Sequence, residues 1–444
     1  MNLTVSNIAI RSVSGKSSDP ALPGQKNYVA FRLAGIPTPV RWLFLIFVFS
    51  LPFEATDLGI MTGMLSIPKV AGVLLIAAFL LYYGPLATKR SLPGLSPPLC
   101  WFMVYGAVFV LNGLFIDAQL SVIRLITMTQ LLVFFWLATG LLKEERMTNS
   151  VLLAYTIAAA VFSAGVAFRV PGFYQEIVPG RATAIGENLN AAGTNMAVGL
   201  VILVGLVLST VNKSYRMKLV SISLAVPIFL AMIATGSRGG IAAFVVGGAV
   251  YLLPYWKKKR AMAAISFAAI ALIAVGYMVM STPELLERWQ ETYYEGKLSD
   301  REKIFAATIE MISERPLLGW GATEAAGELG LRSGTREVRD THNLFLNLLV
   351  ELGIVGAIPF VIGLWLCVLR AWQARATCFG LLPLAVAGSL MTAGLSGNTL
   401  VSKIQWLLLA LATASVVHTS GEALSRSAVH WARISRRATG SLSR

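Results

Sequence analysis

A chain of 444 residues that is 56% hydrophobic and only 13% charged, with a mean hydropathy of +0.70, cannot be covered by a water-facing surface. Ordinary soluble domains carry about 25% charged residues, so the solvent for most of this chain is lipid. The net charge of +15 sits in short basic clusters between apolar runs, which argues for membrane topology and against nucleic acid; Cys100, Cys367 and Cys378 lie in or beside those runs and suggest neither a disulfide framework nor a metal cage.

In chain order, residues 1–38 form a polar lead with Ser, Gly and Pro and no compact apolar core before a small-residue cleavage site. They read as a cytoplasmic segment and not as a signal peptide. A spanning helix needs about 20 mostly apolar residues. Twelve runs qualify, near 40–57, 64–84, 98–116, 120–142, 150–168, 190–212, 217–235, 239–255, 262–281, 342–369, 377–396 and 400–418. The expected fold class is therefore an all-α polytopic membrane protein, with nine helices in 39–281 and three in 342–418. Every second connection is basic: Lys89/Arg90, Lys143/Arg146, Lys213/Arg216/Lys218, Lys257 to Arg260, and Arg370/Arg375. By the positive-inside bias these connections and both termini, including the basic tail 419–444, face the cytoplasm.

The opposite connections are short, except 282–341, which holds 12 of the 22 acidic residues and 8 basic ones. A loop of that length is usually functional. Within it Ile304, Ala307, Thr308, Met311 and Ile312 recur at helical spacing, which predicts an amphipathic helix lying on the headgroups and ended by PLLGWG (316–321).

Ionisable residues on that outer side, apart from the large loop, are few. Arg238 sits in TGSRGG (235–240), a tight glycine-rich turn before a helix, where backbone N–H groups and a guanidinium suit an anion. Arg181 lies in the 169–189 connection, with Asn188 and Asn190 placed to cap the next helix. Arg124, about one turn into its helix, and Lys403, at the outer end of the last one, are cations where lipid penalises charge, and both are possible additional site residues. His342 follows Asp340 and Thr341, two good capping residues, so the imidazole is expected in the first helical turn, held neutral by the helix dipole and able to accept a proton. Leu349, Gly353 and Gly356 then share its face, while Glu351 points away and pairs by spacing with Asn347. His418 and His430 fall on the cytoplasmic side.

His342 and Asn343, nine residues, then Gly353 and Gly356 resemble the signature of the O-antigen ligase and polymerase superfamily. The run Arg301 to Gly321 and the turn Ser237 to Gly240 are similar to two further hallmarks of it. The resemblance implies a GT-C-like membrane glycosyltransferase of the bacterial inner membrane, acting at its periplasmic face, with 282–341 as the periplasmic loop. Its donor would be a glycan on undecaprenyl diphosphate and its acceptor lipid A-core or another lipid-linked glycan, with no metal or other cofactor. Arg238 and Arg181 would hold the diphosphate, His342 would assist the acceptor hydroxyl, and Asn343 would lie beside it. An O-antigen or exopolysaccharide polymerase is the alternative within the superfamily. A polysaccharide transporter or flippase is the rival outside it, although such proteins gather polar groups near the bilayer midplane.

Overall fold

The computed structural model describes residues 35–55, 66–84, 92–117, 122–209, 215–252, 301–334 and 337–417, with isolated positions in 253–300. The described helices are α1 (Thr38–Ser50), α2 (Ile67–Tyr83), α3 (Pro97–Phe115), α4 (Val122–Leu141), α5 (Glu145–Ala167), α6 (Leu189–Ser209), α7 (Tyr215–Ala234) and α8 (Arg238–Leu252), followed by α9 (Arg301–Glu314), α10 (Ala322–Arg332), α11 (Leu344–Gln373), α12 (Leu382–Gly394) and α13 (Lys403–Val417). Five of them, α3, α4, α5, α6 and α11, are long and apolar enough to cross a membrane, and six shorter apolar helices accompany them. The protein is thus a mostly helical, multi-pass membrane protein. Eleven of the twelve apolar runs coincide with a described helix; the run 262–281 lies almost wholly outside the described residues, as do both termini.

Several helices begin on proline, which lacks the N–H that a first turn leaves unpaired: Pro68 after Ser66, Pro97 and Pro98 after Ser96, Pro383 after Leu381. Because lipid offers no hydrophobic gain between helices, close approach and van der Waals packing hold the bundle. α8 packs closely against α6 and α12. A Cβ on Gly240 would stand 2.8 Å from the Gly193 backbone of α6, and Ser389 of α12 donates its hydroxyl to the Ala243 carbonyl at 2.8 Å. A second nucleus is aromatic: Phe102 packs at 5.2 Å from Phe135, 5.5 Å from Phe360 and 5.1 Å from Trp406, joining α3, α4, α11 and α13. The buried core is continuous through both.

One part of the chain expected as plain loop is a hairpin. β1 (Tyr174–Val178) and β2 (Arg181–Ala184) pair antiparallel across Pro179–Gly180, with Gly180 at φ 72°. Proline first and a positive-φ glycine second is the chemistry of a tight turn, a signal available in VPGR. The hairpin makes Arg181 the first residue of a strand instead of a loop side chain.

Two expectations fail in the segment 301–343. α9 does not lie on headgroups: Ile304, Ala307 and Met311 are buried against Ala325 and Leu329 of α10 and Val350 of α11. Its apolar stripe is used up by protein. The helix ends at Glu314, and Pro316 follows, as the proline predicts.

His342, secondly, is not in a helix. The N-cap of α11 is Asn343, whose side-chain oxygen accepts the N–H groups of Phe345 and Leu346 at 2.9 and 3.1 Å. Asp340 and Thr341 are occupied one step earlier, Asp340 accepting the His342 N–H at 3.2 Å and Thr341 donating to the Asn343 carbonyl at 3.0 Å. α11 is also broken at Gly353 (φ 59°, ψ −166°), so no continuous face runs from residue 342 to 356. The break is filled by the loop 316–321: Trp320 and Gly321 donate to the carbonyls of Val350 and Glu351 at 2.9 and 2.8 Å, while Ile354 and Val355 donate to those of Pro316 and Leu317 at 2.9 and 3.1 Å. Irregular backbone at membrane depth persists only when its polar groups are paired in this way.

Candidate functional site

All the candidate residues gather at one end of the bundle, opposite the end where Arg41 pairs with Glu144 at 3.5 Å. Local chemistry fixes each of them. Ser237 caps α8 by accepting the Gly240 N–H at 3.1 Å, which sets Arg238 in the first turn. Arg181 Nε donates to the Thr235 carbonyl at 2.8 Å and so ties the hairpin to that turn. Asn188 caps α6 through the N–H of Asn190 at 2.9 Å and of Ala191 at 3.2 Å, as the sequence suggested. Asn190 accepts the Ser237 hydroxyl at 3.3 Å. Hairpin, α6 and α8 therefore converge on a single point.

At that point lies a cavity of about 170 Å³ lined by Arg181, Asn190, Gly236, Arg238, Gly239, Arg301 and His342. Three guanidiniums and one imidazole come from four separate stretches of sequence, and none of the described lining residues is a carboxylate. Arg301 was absent from the sequence-derived site. It opens α9 on the same stripe as Ile304, Thr308 and Met311, so burial of that stripe against α10 and α11 carries it into the cavity.

His342 is half-buried and adopts φ 51°, a left-handed conformation that is uncommon outside glycine and costs of order 1–3 kcal/mol. Strain of that kind persists where the surroundings over-determine a side-chain position. Burial, and then Arg301 and Arg339, hold the imidazole below its ordinary pKa of 6.5, with Asp340 opposing them. Since the group lies outside α11, burial and neighbouring arginines replace the helix dipole as the main reason for neutrality. Activity that needs the neutral imidazole is lost as pH falls through the depressed value, so the acid limb of the rate profile is expected below 6.5. Asp340→Asn should move that limb lower still, because it removes the one neighbouring charge that favours the imidazolium; kcat/KM measured against pH decides.

The remaining sequence candidates do other work. Arg124 donates to the Ala322 carbonyl at the start of α10 and, with Asn112 (to Leu318 at 2.7 Å) and Asp117 (from the Thr323 N–H at 2.7 Å), anchors the 316–323 segment to α3 and α4. Asn343 is spent on the α11 cap and on the Leu395 carbonyl. Lys403 pairs with Glu54. None of these three lines the arginine cavity. Glu351 does not line it either. Among the described residues no group of three or more His, Cys, Asp or Glu is placed to hold a metal ion.

Residues 222–361 match the family model described as O-Antigen ligase. Over that stretch the chain is similar to the O-antigen ligase family. The matched stretch runs from within α7 to the far side of the α11 break, so it contains Arg238, Arg301 and His342 and leaves Arg181 outside. It bears out the resemblance read from the motifs. The family supports a ligase- or polymerase-like membrane enzyme acting on lipid-linked glycan. No curated protein matches the chain.

Just before α6, Glu187 bears on stability. It is only 8% exposed, and burial lifts its pKa to about 7 against an accepted hydrogen bond from the Ala55 backbone. Its folded pKa exceeds the ordinary 4.5, so its contribution is complete below 4.5 and lost as pH rises through about 7. Glu187→Gln should flatten the dependence of melting temperature on pH across that window; an unchanged slope would remove Glu187 as its source.

Proposed function

We propose that the protein transfers a glycan from undecaprenyl diphosphate to an acceptor hydroxyl at the periplasmic face of the inner membrane, in the manner of an O-antigen ligase. The observation that carries the reading is the convergence of Arg181, Arg238, Arg301 and His342 on one cavity. Three guanidiniums gathered on one cavity suit a diphosphate, whose oxygens accept planar, charge-assisted hydrogen bonds.

In the proposed step the acceptor oxygen attacks the anomeric carbon while the bond from that carbon to the diphosphate oxygen breaks. The leaving oxygen keeps the electron pair, and the arginines stabilise the charge that builds there, a role that needs no metal. The neutral imidazole of His342 takes the proton of the attacking hydroxyl. Direct displacement inverts the anomeric carbon; retention in the product's NMR spectrum would contradict it. The basic clusters support a topology with both termini in the cytoplasm and the arginine cavity outside.

A deletion strain examined on a lipopolysaccharide gel tests the reading. Loss of long-chain material with accumulation of free lipid-linked polymer is expected for a ligase. Single-repeat caps would instead identify a polymerase, and unchanged lipopolysaccharide with unchanged secreted polysaccharide would refute both.

A further inference from the structure

A second, larger cavity of about 250 Å³ lies on the other side of Asp340, lined on its polar wall by Arg124, Arg339, Asp340, Asn347, Glu351 and Asn398 and floored by apolar side chains of α10. Asp340 and Thr341 line this cavity and His342 lines the first, so three successive residues form the partition between them. The two differ in charge. Where the described lining of the first is cationic, with three guanidiniums, here two guanidiniums are opposed by two carboxyl groups. A diphosphate entering it would meet the carboxyl groups of Asp340 and Glu351.

Asn347 shows that the wall is not self-satisfied. It is only 5% exposed, its carbonyl oxygen accepts from Thr341 at 3.3 Å, and its amide nitrogen, near the Glu351 carboxyl group, makes no close hydrogen bond among the described residues. A buried donor left in that state costs stability unless a ligand supplies the acceptor. The wall therefore offers fixed donors and fixed acceptors side by side, above an apolar floor. Hydroxyl groups, which donate and accept at once, match such a wall, and a ring with polar edges and C–H faces matches the floor. The space is smaller than pockets that hold drug-sized ligands and suits a single ring.

We infer that this cavity binds one uncharged sugar ring of the glycan substrate, the ring beside the reacting bond, while the diphosphate occupies the neighbouring arginine cavity. The inference rests on the proposed transfer reaction. The ring belongs either to the donor glycan or to the acceptor, and the experiment separates them.

Two variants alter the cavity without touching the arginine site. Ala326→Leu projects a larger side chain from α10 into the space while keeping the backbone carbonyl that accepts the Arg339 N–H. Glu351→Gln keeps the shape and exchanges one carboxyl oxygen for an amide N–H donor. Purified protein in lipid nanodiscs would be assayed with lipid-linked donor and acceptor extracted from membranes of the deletion strain, and with inorganic pyrophosphate as inhibitor. Leaving one buried polar group of the ligand unsatisfied corresponds to about ten-fold in affinity. KM is expected to rise by that factor for one substrate in both variants, with pyrophosphate inhibition unchanged. A rise for the donor assigns the ring to the donor, and a rise for the acceptor assigns it there. Unchanged KM for both substrates in either folded variant overturns the inference. If wild-type protein transfers glycan but is not inhibited by pyrophosphate, the diphosphate assignment fails and the KM shifts still decide the sugar site; a wild-type protein that transfers nothing removes both.

Discussion

His342→Ala and Arg238→Ala should each lower glycan transfer by about 10²–10⁴-fold while leaving membrane insertion and melting temperature nearly unchanged. For the histidine the reason is proton bookkeeping: without the imidazole, a sugar hydroxyl must attack with its proton still attached. For the arginine it is charge, since the leaving diphosphate would develop its negative charge against two guanidiniums instead of three. Neither side chain supplies apolar packing, and both are half-buried at the bundle's end. His342→Ala also replaces a residue in a left-handed conformation with one that tolerates it no better, so a modest loss of stability is compatible with the account. Arg238→Lys should remain poor, because a point ammonium cannot reproduce the planar fork. Transfer assays on purified variants, beside thermal unfolding in detergent, separate the two effects. Full activity in either alanine variant would remove that residue from the site.

Gly353→Ala should fail differently, losing stability and activity together. The backbone at φ 59°, ψ −166° belongs to a region open almost only to glycine. An added Cβ would also lie 2.3 Å from the carbonyl carbon and oxygen of Leu317, so the 316–318 backbone would have to withdraw. Four backbone hydrogen bonds between that loop and α11 depend on the close approach. The expected cost is at least about 2–3 kcal/mol. The loop also joins α9 to α10, and Trp320 within it lies 3.9 Å under Arg315 and donates to the Met311 carbonyl at 2.8 Å. Withdrawal would therefore shift α9 and with it Arg301, and so disturb the proposed diphosphate site. A clear fall in melting temperature together with transfer is expected; a variant with wild-type melting and wild-type transfer would show that the break does not position the site.

Much of this was legible in the sequence because lipid enforces simple rules. Apolar runs of spanning length produced nearly every described helix position, and the alternation of basic connections put Arg181, Arg238 and His342 on one side before any coordinates did. Arg301 escaped for a physical reason: it was read among the mixed charges of a long polar connection, and a stripe of Ile304, Thr308 and Met311 does not say whether it will bury against headgroups or against protein. The α11 break was equally hidden. A glycine in an apolar run reads as close helix packing, and only the partner loop PLLGWG, 32 or more residues earlier in the chain, explains why the helix opens there. The histidine's left-handed backbone leaves no mark on spacing, so helical arithmetic started one element too early.

The central claim is that three guanidiniums hold one diphosphate beside the imidazole that faces the acceptor. A cryo-electron microscopy map of the protein with undecaprenyl diphosphate bound tests it most directly. The account predicts diphosphate density between Arg181, Arg238 and Arg301, with His342 on its open side. Density for the phosphates beside Arg124 and Arg339, or at the opposite end of the bundle near Arg41 and Lys143, would contradict it.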